Sequence, residues 1–283
     1  MKLFGLVVVI MVAFAANSVL NRAGVGGGQI SPVAFGVIRL LAGAVTLAVL
    51  CGVLRGGLRF GGAGRLAGVA GLLIYIFGFS FAYVGLESGL GALILFGMVQ
   101  VTMFAGSVMG GERPAPLRWI GAAVAFCGLA WLVWPQDGVS AGLLPSMFML
   151  AAGFGWGVYS LAGKLSSDAL QATAANFVLA TPIAVVVLLG NGLGPMTFEG
   201  VALAIVSGAV TSGLGYALWY AVLPRLDGSV AAVAQLTVPV IAMAGGMLFL
   251  TEPLTMDFVI ASALVLGGVA LSVLGPRFFG GPR

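Results

Sequence analysis

Long apolar runs alternate along the chain with short segments rich in polar residues and glycine. A helix needs about 20 apolar residues to cross the roughly 30 Å hydrocarbon core of a membrane, and charged side chains are costly there. The intervals with few or no charges therefore predict ten membrane-spanning helices. The predicted spans are 3–21, 32–53, 66–86, 90–109, 117–134, 142–163, 172–190, 201–222, 229–250 and 258–275. Pro239 is expected to bend the ninth, because proline cannot donate the helical hydrogen bond.

The second half of the chain repeats the plan of the first. A displacement of 140 positions brings Glu112 onto Glu252, and the seam lies at residues 134–140. Residues 1–136 and 137–283 are therefore predicted to be two units of five helices each. Because five is odd, the second unit enters the membrane from the opposite face, which predicts inverted repeats. Each glutamate precedes the last helix of its half, where a carboxylate is expected to cap the helix.

Composition places the whole chain in a membrane and excludes several functions. With 61% hydrophobic and 7% charged residues, the chain has too little polar surface for a soluble globule, and its net charge of +4 is too small for nucleic-acid binding. There is no histidine, and Cys51 and Cys127 both lie in apolar runs, so we expect no metal site and no cofactor. Motifs for hydrolase, phosphate-binding or intramembrane protease chemistry are absent, so no catalytic residue is assigned and the chain is predicted not to be an enzyme.

The loops divide the positive charges unequally between the two sides of the membrane. Arg22 is alone on one side, and cytoplasmic loops normally hold the excess of lysine and arginine. Both termini are therefore predicted to lie in the cytoplasm, with the chain in the inner membrane. The ten positive residues on the cytoplasmic side would be Lys2, Arg55, Arg59, Arg65, Arg113, Arg118, Lys164, Arg225, Arg277 and Arg283.

Arg39 is the one charge deep within a predicted span, seven residues beyond Pro32 and so about 10 Å from the start of its helix. A charged residue at such depth is a candidate for function by default. It would attract a substrate carboxylate or phosphate, or else bond to backbone carbonyls or extend outward to the membrane surface.

Uncharged polar and aromatic residues recur in the other spans and are predicted to line a substrate cavity with Arg39. Such a cavity suits a small zwitterion or an aromatic solute. Aromatic residues near the ends of spans would instead form belts at the membrane surface. The remaining candidates for substrate binding are Asn17, Tyr75, Tyr83, Gln100, Trp156, Tyr159, Asn176, Ser212, Tyr216 and Gln235.

The segments 89–93 to Glu112, and 229–233 through Pro239 to Glu252, resemble the EamA repeat of the drug/metabolite transporter superfamily. The resemblance covers essentially the whole chain as two units, and within the superfamily the chain resembles YddG-type exporters of aromatic and other neutral amino acids. This resemblance implies ten helices in two inverted repeats around a central cavity, with the fifth and tenth helices peripheral. The cavity would be lined mainly by the other helices, which carry Trp156, Tyr83, Gln100 and Gln235.

Three hypotheses follow for the function. The first is an inner-membrane carrier, acting as a monomer in the lipid bilayer, that exports neutral and especially aromatic amino acids and related small metabolites by alternating access. The second is an exporter of drugs or lipophilic cations from the same superfamily. Small multidrug members of that superfamily rely on a glutamate in the first span, where this chain has Asn17 and Ser18. The third is a membrane protein without transport activity, such as a lipid scramblase.

Overall fold

The computed structural model describes residues 2–112, 114–133, 142–226 and 228–278. Within these ranges every regular element is helical, apart from one isolated β-bridge. The twelve α-helices are α1 (Lys2–Asn21), α2 (Pro32–Arg55), α3 (Arg65–Ala82), α4 (Ser88–Met109), α5 (Pro116–Val133), α6 (Leu143–Gly163), α7 (Ala169–Asn191), α8 (Phe198–Val206), α9 (Gly215–Val222), α10 (Gly228–Leu236), α11 (Val238–Leu250) and α12 (Met256–Phe278).

Nine helical stretches of the described residues are long and apolar enough to cross a membrane, and Pro116–Trp131 is a shorter apolar helix. Together they correspond one to one with the ten predicted spans, so the prediction of an all-α polytopic membrane protein is confirmed. The seam at 134–140, and with it the boundary between the two units, lies outside the described residues.

Three spans differ in detail from the predicted ones. The third ends at Ala82 rather than at residue 86. The eighth consists of α8 and α9 joined by a π-helical segment, Ser207–Leu214. The ninth is divided at Thr237 into α10 and α11, with Pro239 in the first turn of α11, because proline fits a helix start but not its interior.

Helices from the two halves of the chain pack directly on one another. The main pairs are α2 with α7, α5 with α12, α3 with α6, and α4 with both α6 and α11, while α1 contacts α11 and the π-helical segment. An internal two-fold relation would produce this arrangement, since a displacement of 140 positions exchanges α2 with α7 and α5 with α12. Corresponding helices of the two halves are therefore packing partners, and the inverted orientation of the repeats stays a prediction.

A close helix contact joins α5 to α12 and depends on glycine. A Cβ atom at Gly121 would lie 2.5 Å from the carbonyl oxygen of Gly268, and one at Gly268 would lie 2.5 Å from the amide nitrogen of Ala125. Lipid provides no hydrophobic drive for helix association, so small residues that allow close backbone approach supply the packing energy.

Two loop contacts, at opposite ends of α2, join the halves. In the first, here called the arginine clasp, Arg55 Nε donates to Asp168 Oδ2 at 2.6 Å, and Gln171 Nε2 donates to the Gly57 carbonyl at 2.7 Å. The clasp connects the α2–α3 loop to the start of α7.

The second loop contact, here called the bridge clasp, connects the loop before α2 to the α7–α8 loop. Ile30 and Met196 form an antiparallel β-bridge, and Thr197 N donates to the Gln29 carbonyl at 2.8 Å. Thr197 lies 140 positions after the Gly57 of the arginine clasp, so the two clasps occupy corresponding places in the two halves.

Glu252 caps a helix of the other half. Its carboxylate accepts hydrogen bonds from the Ser88 amide at 2.9 and 3.0 Å, at the first turn of α4, where amides lack partners within the helix. The Arg22 guanidinium is 3.6 Å away. The prediction that Glu252 caps the last helix of its own half is wrong, because Thr255 Oγ1 accepts from Phe258 N there. Glu112 likewise accepts from Ser107 Oγ, at 2.6 Å, instead of capping α5.

Candidate functional site

Arg39 lies in the interior of α2 and is completely buried. Its Nε donates to Ser212 Oγ at 3.1 Å, and its Nη2 donates to the Tyr75 hydroxyl at 2.8 Å. The side chain therefore neither extends to the membrane surface nor bonds to backbone carbonyls, which were the structural alternatives in the sequence analysis. Its third nitrogen, Nη1, has no hydrogen-bond partner within the described residues.

Aromatic rings surround the guanidinium of Arg39. The guanidinium carbon lies 5.1 Å from the ring centre of Tyr75 and 5.0 Å from that of Phe79, within the range of cation–π attraction. The Tyr75 ring contacts Trp156 at 4.8 Å, and Trp156 contacts Tyr216 at 5.1 Å. A buried positive charge and an aromatic cluster thus form one unit.

The π-helical segment brings its hydroxyl groups to two neighbouring helices. Ser212 bonds to Arg39 on α2, whereas Thr211 and Ser207 both donate to Asn17 Oδ1 on α1, the latter at 2.8 Å. The wider π-helical turn allows the adjacent residues 211 and 212 to serve different partners. Gly208 is required for this approach, because a Cβ atom there would clash with the Arg39 carbonyl oxygen.

A narrow cavity of about 20 Å³ lies beside this cluster, near the middle of the spans. That volume holds one or two water molecules but no amino acid. Amide and hydroxyl groups share its walls with aromatic rings, so the cavity combines polar recognition with an apolar surface. Its lining residues are Phe14, Asn17, Ser18, Tyr75, Phe79, Leu95, Phe96, Trp156, Tyr216 and Gln235.

The structure brings most of the predicted site residues together. Those that line the cavity are Asn17, Tyr75, Trp156, Tyr216 and Gln235. Arg39 and Ser212 lie directly behind its tyrosines. Tyr159 is one layer further out, where it stacks on Trp156 at 5.1 Å and donates to Thr173 Oγ1 at 3.0 Å.

Three predicted residues lie away from the cavity. Asn176 Oδ1 accepts from Arg65 Nη1 at 2.7 Å, at the first residue of α3. Tyr83 donates to the Ser88 carbonyl at 3.1 Å, at the other end of that helix. Gln100 is half-buried one turn along α4 from Phe96 and is not a lining residue.

Five lining residues were not among the predicted site residues, namely Phe14, Ser18, Phe79, Leu95 and Phe96. Phe79 follows Tyr75 by four positions, and Phe14 precedes Asn17 by three, so helical periodicity places each on the face of a predicted residue. Phe96 likewise precedes the predicted Gln100 by four positions, whereas Leu95 has no such relation to a predicted residue. Within the described residues no cluster of three metal-ligating side chains occurs.

Similarity to known proteins agrees with this architecture. Residues 143–274 match the EamA-like transporter family. The chain is 43% identical over 281 residues to an uncharacterized protein of Pseudomonas aeruginosa, with 96% of this chain and 94% of that protein covered. It is 26% identical to a protein of Escherichia coli named a probable amino-acid metabolite efflux pump, with 74% and 76% covered. A crystal structure with 18% identity shares the fold, with a TM-score of 0.67 over 96% of this chain and 99% of that one. Residues 143–274 therefore form a domain of the EamA-like transporter family.

Proposed function

We propose that this membrane transporter is an inner-membrane carrier that exports neutral amino acids, aromatic ones among them, by alternating access. The observation that carries the proposal is the buried Arg39, held behind an aromatic cavity, whose Nη1 has no hydrogen-bond partner in the part of the chain that the structure describes. Arginine has a planar set of donors that matches a carboxylate, and a carboxylate is common to all amino acids.

The remaining parts of a zwitterion also find partners in the cavity. Its ammonium group can donate to the amide oxygen of Gln235 and can lie against aromatic faces. An apolar or aromatic side chain can pack against Phe14, Phe96 and Trp156. The relative named an amino-acid metabolite efflux pump supports the same substrate class.

The charge of Arg39 argues against a lipophilic cation as substrate. No described acidic residue forms an ion pair with Arg39. Two like charges 8 Å apart repel by about 2 kcal/mol at an effective dielectric constant of 20. A cation in the cavity would lack any carboxylate to offset that repulsion, whereas a zwitterion carries its own.

Alternating access is supported by the clasps. The cavity is too narrow for an amino acid, so helices must separate before substrate can enter or leave. The arginine clasp and the bridge clasp join the two halves at opposite ends of α2 and can open in turn. Both termini are proposed to be cytoplasmic, which places the arginine clasp on the cytoplasmic side.

The test is counterflow in proteoliposomes that contain unlabelled phenylalanine, with labelled phenylalanine outside and no pH gradient. Phenylalanine, tryptophan, methionine and threonine should compete with the labelled substrate. Phenylalaninamide, which lacks the carboxylate, and the lipophilic cation tetraphenylphosphonium should not. Equal competition by the amide would contradict the proposal.

Variants of Arg39 link the result to the site. We expect Arg39→Gln to lower exchange at least tenfold, since a hydrogen bond to a charged group contributes about 1.5–3 kcal/mol. Arg39→Lys, which keeps the charge, should retain part of the activity, and the exposed Arg225→Gln should retain all of it. If folded Arg39→Gln protein exchanged phenylalanine at the wild-type rate, the proposal that Arg39 binds the substrate carboxylate would be wrong.

A further inference from the structure

A second, larger cavity of about 380 Å³ adjoins the arginine clasp, between the α2–α3 loop and the α6–α7 loop. Three arginines and one aspartate line it, which gives a formal charge of +2. Hydroxyl groups and exposed backbone complete its walls. The lining residues are Arg55, Arg59, Gly61, Gly62, Ala63, Arg65, Leu165, Ser166, Ser167, Asp168, Gln171 and Ala172.

The three arginines differ in how many hydrogen bonds and ion pairs their side chains already form. Arg65 donates to the carbonyls of Phe60, Gly61 and Ala172 at 2.7–2.9 Å and so holds the loop. Arg55 is paired with Asp168. The Arg59 side chain is exposed and forms no hydrogen bond within the described ranges. The cavity therefore contains one cation that is ready to accept an anion.

Asp168 remains charged at neutral pH and limits the positive potential. Burial alone would raise the pKa of its carboxyl, but hydrogen bonds from Arg55 and from the amides of Gln171 and Leu170 lower that pKa below its ordinary value. An anion that enters the cavity would compete with Asp168 for Arg55.

The rim of the cavity is apolar. Leu165 lines the cavity and is 64% exposed, and Leu66 (88% exposed) and Leu54 (57% exposed) are the chain neighbours of the lining residues Arg65 and Arg55. These side chains offer an apolar surface for acyl chains. A free anion would make no use of them, so the rim favours a ligand that has both an anionic head and apolar chains.

We propose that this cavity binds the phosphate headgroup of an anionic phospholipid, with Arg59 as the principal ligand and Arg55 as the second. Basic pockets between membrane helices at the cytoplasmic surface suit such headgroups, and arginine pairs with phosphate through two parallel hydrogen bonds. Inorganic phosphate presents the same chemistry without the chains. The site is separate from the central cavity, so its test does not depend on transport.

The experiment measures binding of fluorescent phosphatidylglycerol to the purified full-length protein in a neutral detergent. Phosphatidylcholine, which has the same chains but no net charge, is the lipid control. We expect phosphatidylglycerol to bind at least fivefold more tightly, and millimolar inorganic phosphate to displace little of it. Equal binding of the two lipids would overturn the proposal, and displacement by inorganic phosphate at equal affinity would assign the site to a free anion instead.

Three variants locate the binding. Arg59→Gln should weaken phosphatidylglycerol binding about fivefold, the effect of one positive charge near a membrane surface. Arg225→Gln removes an exposed arginine that the alternation of spans places on the same face, and should leave the affinity unchanged. Asp168→Asn removes the competing charge but keeps a residue that caps α7, so it should strengthen binding. If Arg59→Gln binds as the wild-type protein does, the proposed site is wrong.

Discussion

Arg39 keeps its charge inside the membrane because its neighbours replace most of the water that it loses. Ser212 and Tyr75 accept two of its hydrogen bonds, and two aromatic rings face the guanidinium. The Nη1 group, which has no partner among the described residues, retains an unfavourable desolvation that a carboxylate could relieve. Burial thus makes this arginine selective for anions.

The hydroxyl of Tyr75 orients that guanidinium, so its removal should impair substrate binding. We expect Tyr75→Phe to raise the KM for phenylalanine in counterflow about tenfold, since a hydrogen bond to a charged group is lost. Tyr159→Phe is the matched control, because its hydroxyl bonds to Thr173 and not to Arg39. Equal KM values for the two variants would show that Tyr75 does not orient Arg39.

Glu252 should make stability depend on pH. Burial raises the pKa of its carboxyl above the ordinary value of 4.5, although hydrogen bonds from Ser88 and the charge of Arg22 offset part of the effect. A folded-state pKa above the unfolded-state pKa means that the native protein binds the proton more tightly. Stability is therefore gained as pH falls through the folded pKa towards 4.5, and lost as pH rises.

The thermal unfolding midpoint, measured at pH 7 and pH 5, tests this. Glu252→Gln should reduce the rise in the midpoint on acidification, because the variant has no proton to bind. Glu199→Gln, an exposed carboxylate in the first turn of α8, should keep the full rise. An unchanged rise in Glu252→Gln would assign the pH dependence to another group.

For individual residues, the sequence indicated candidate site residues but not the side chains to which they bond. Arg39 was evident as a lone charge in an apolar span, yet its acceptor Ser212 lies 173 positions away. Asn176 was placed in the cavity because it is polar and lies within a span, whereas Arg65, 111 positions away, binds it at the helix end. The pattern of polar and apolar residues within one span indicates how far a residue lies from the ends of its helix. It does not indicate which face of that helix another helix will cover.

Among the elements, α5 and α12 show how strongly packing depends on single glycines. Gly121→Ala should destabilise the protein, by about 1–3 kcal/mol, because the new methyl group meets the backbone of α12. Gly52→Ala on α2 is the matched control, with no atom within 4 Å of the added carbon. That change should stabilise by about 0.5–1 kcal/mol through helix propensity.

Thermal or denaturant midpoints of the two variants should therefore move in opposite directions. A shift of Gly121→Ala in the same direction as Gly52→Ala would mean that α5 and α12 are not in close contact in the membrane.

Interruptions of the helices also differ in how well the sequence predicts them. Pro239 predicts the break between α10 and α11 from the sequence alone, because proline lacks the amide hydrogen that a helix interior requires. The π-helical segment Ser207–Leu214 has no comparable signal. Its hydroxyls bond to residues of α1 and α2, and such contacts between spans are not visible when each span is considered by itself.

For the whole molecule, the proposed alternating access requires the bridge clasp to open. Residues opposite each other in an antiparallel pair have Cα atoms about 4.5–5.5 Å apart, which suits a disulfide. In a background with Cys51→Ala and Cys127→Ala, we expect oxidised Ile30→Cys/Met196→Cys to lose at least nine-tenths of its counterflow, and reduction to restore it.

Each single cysteine variant should be active under both conditions. Exchange at the wild-type rate by the cross-linked protein would show that this contact stays closed throughout transport.

The global plan was the most predictable level. Ten spans follow from the cost of charge in a membrane, which acts on every segment independently. The loop contacts between the halves depend on which ends meet in space, and the displacement of 140 positions reveals their correspondence only after one of them is known.

The two clasps are equivalent in position but not in chemistry. One is closed by an exposed ion pair, Arg55 with Asp168, and the other by backbone hydrogen bonds around Ile30 and Met196. Dissolved salt screens exposed charges but leaves backbone bonds nearly unaffected. Higher ionic strength should therefore favour opening at the arginine clasp over opening at the bridge clasp. The proposed carrier would then respond to the salt concentration of the compartment that the arginine clasp faces.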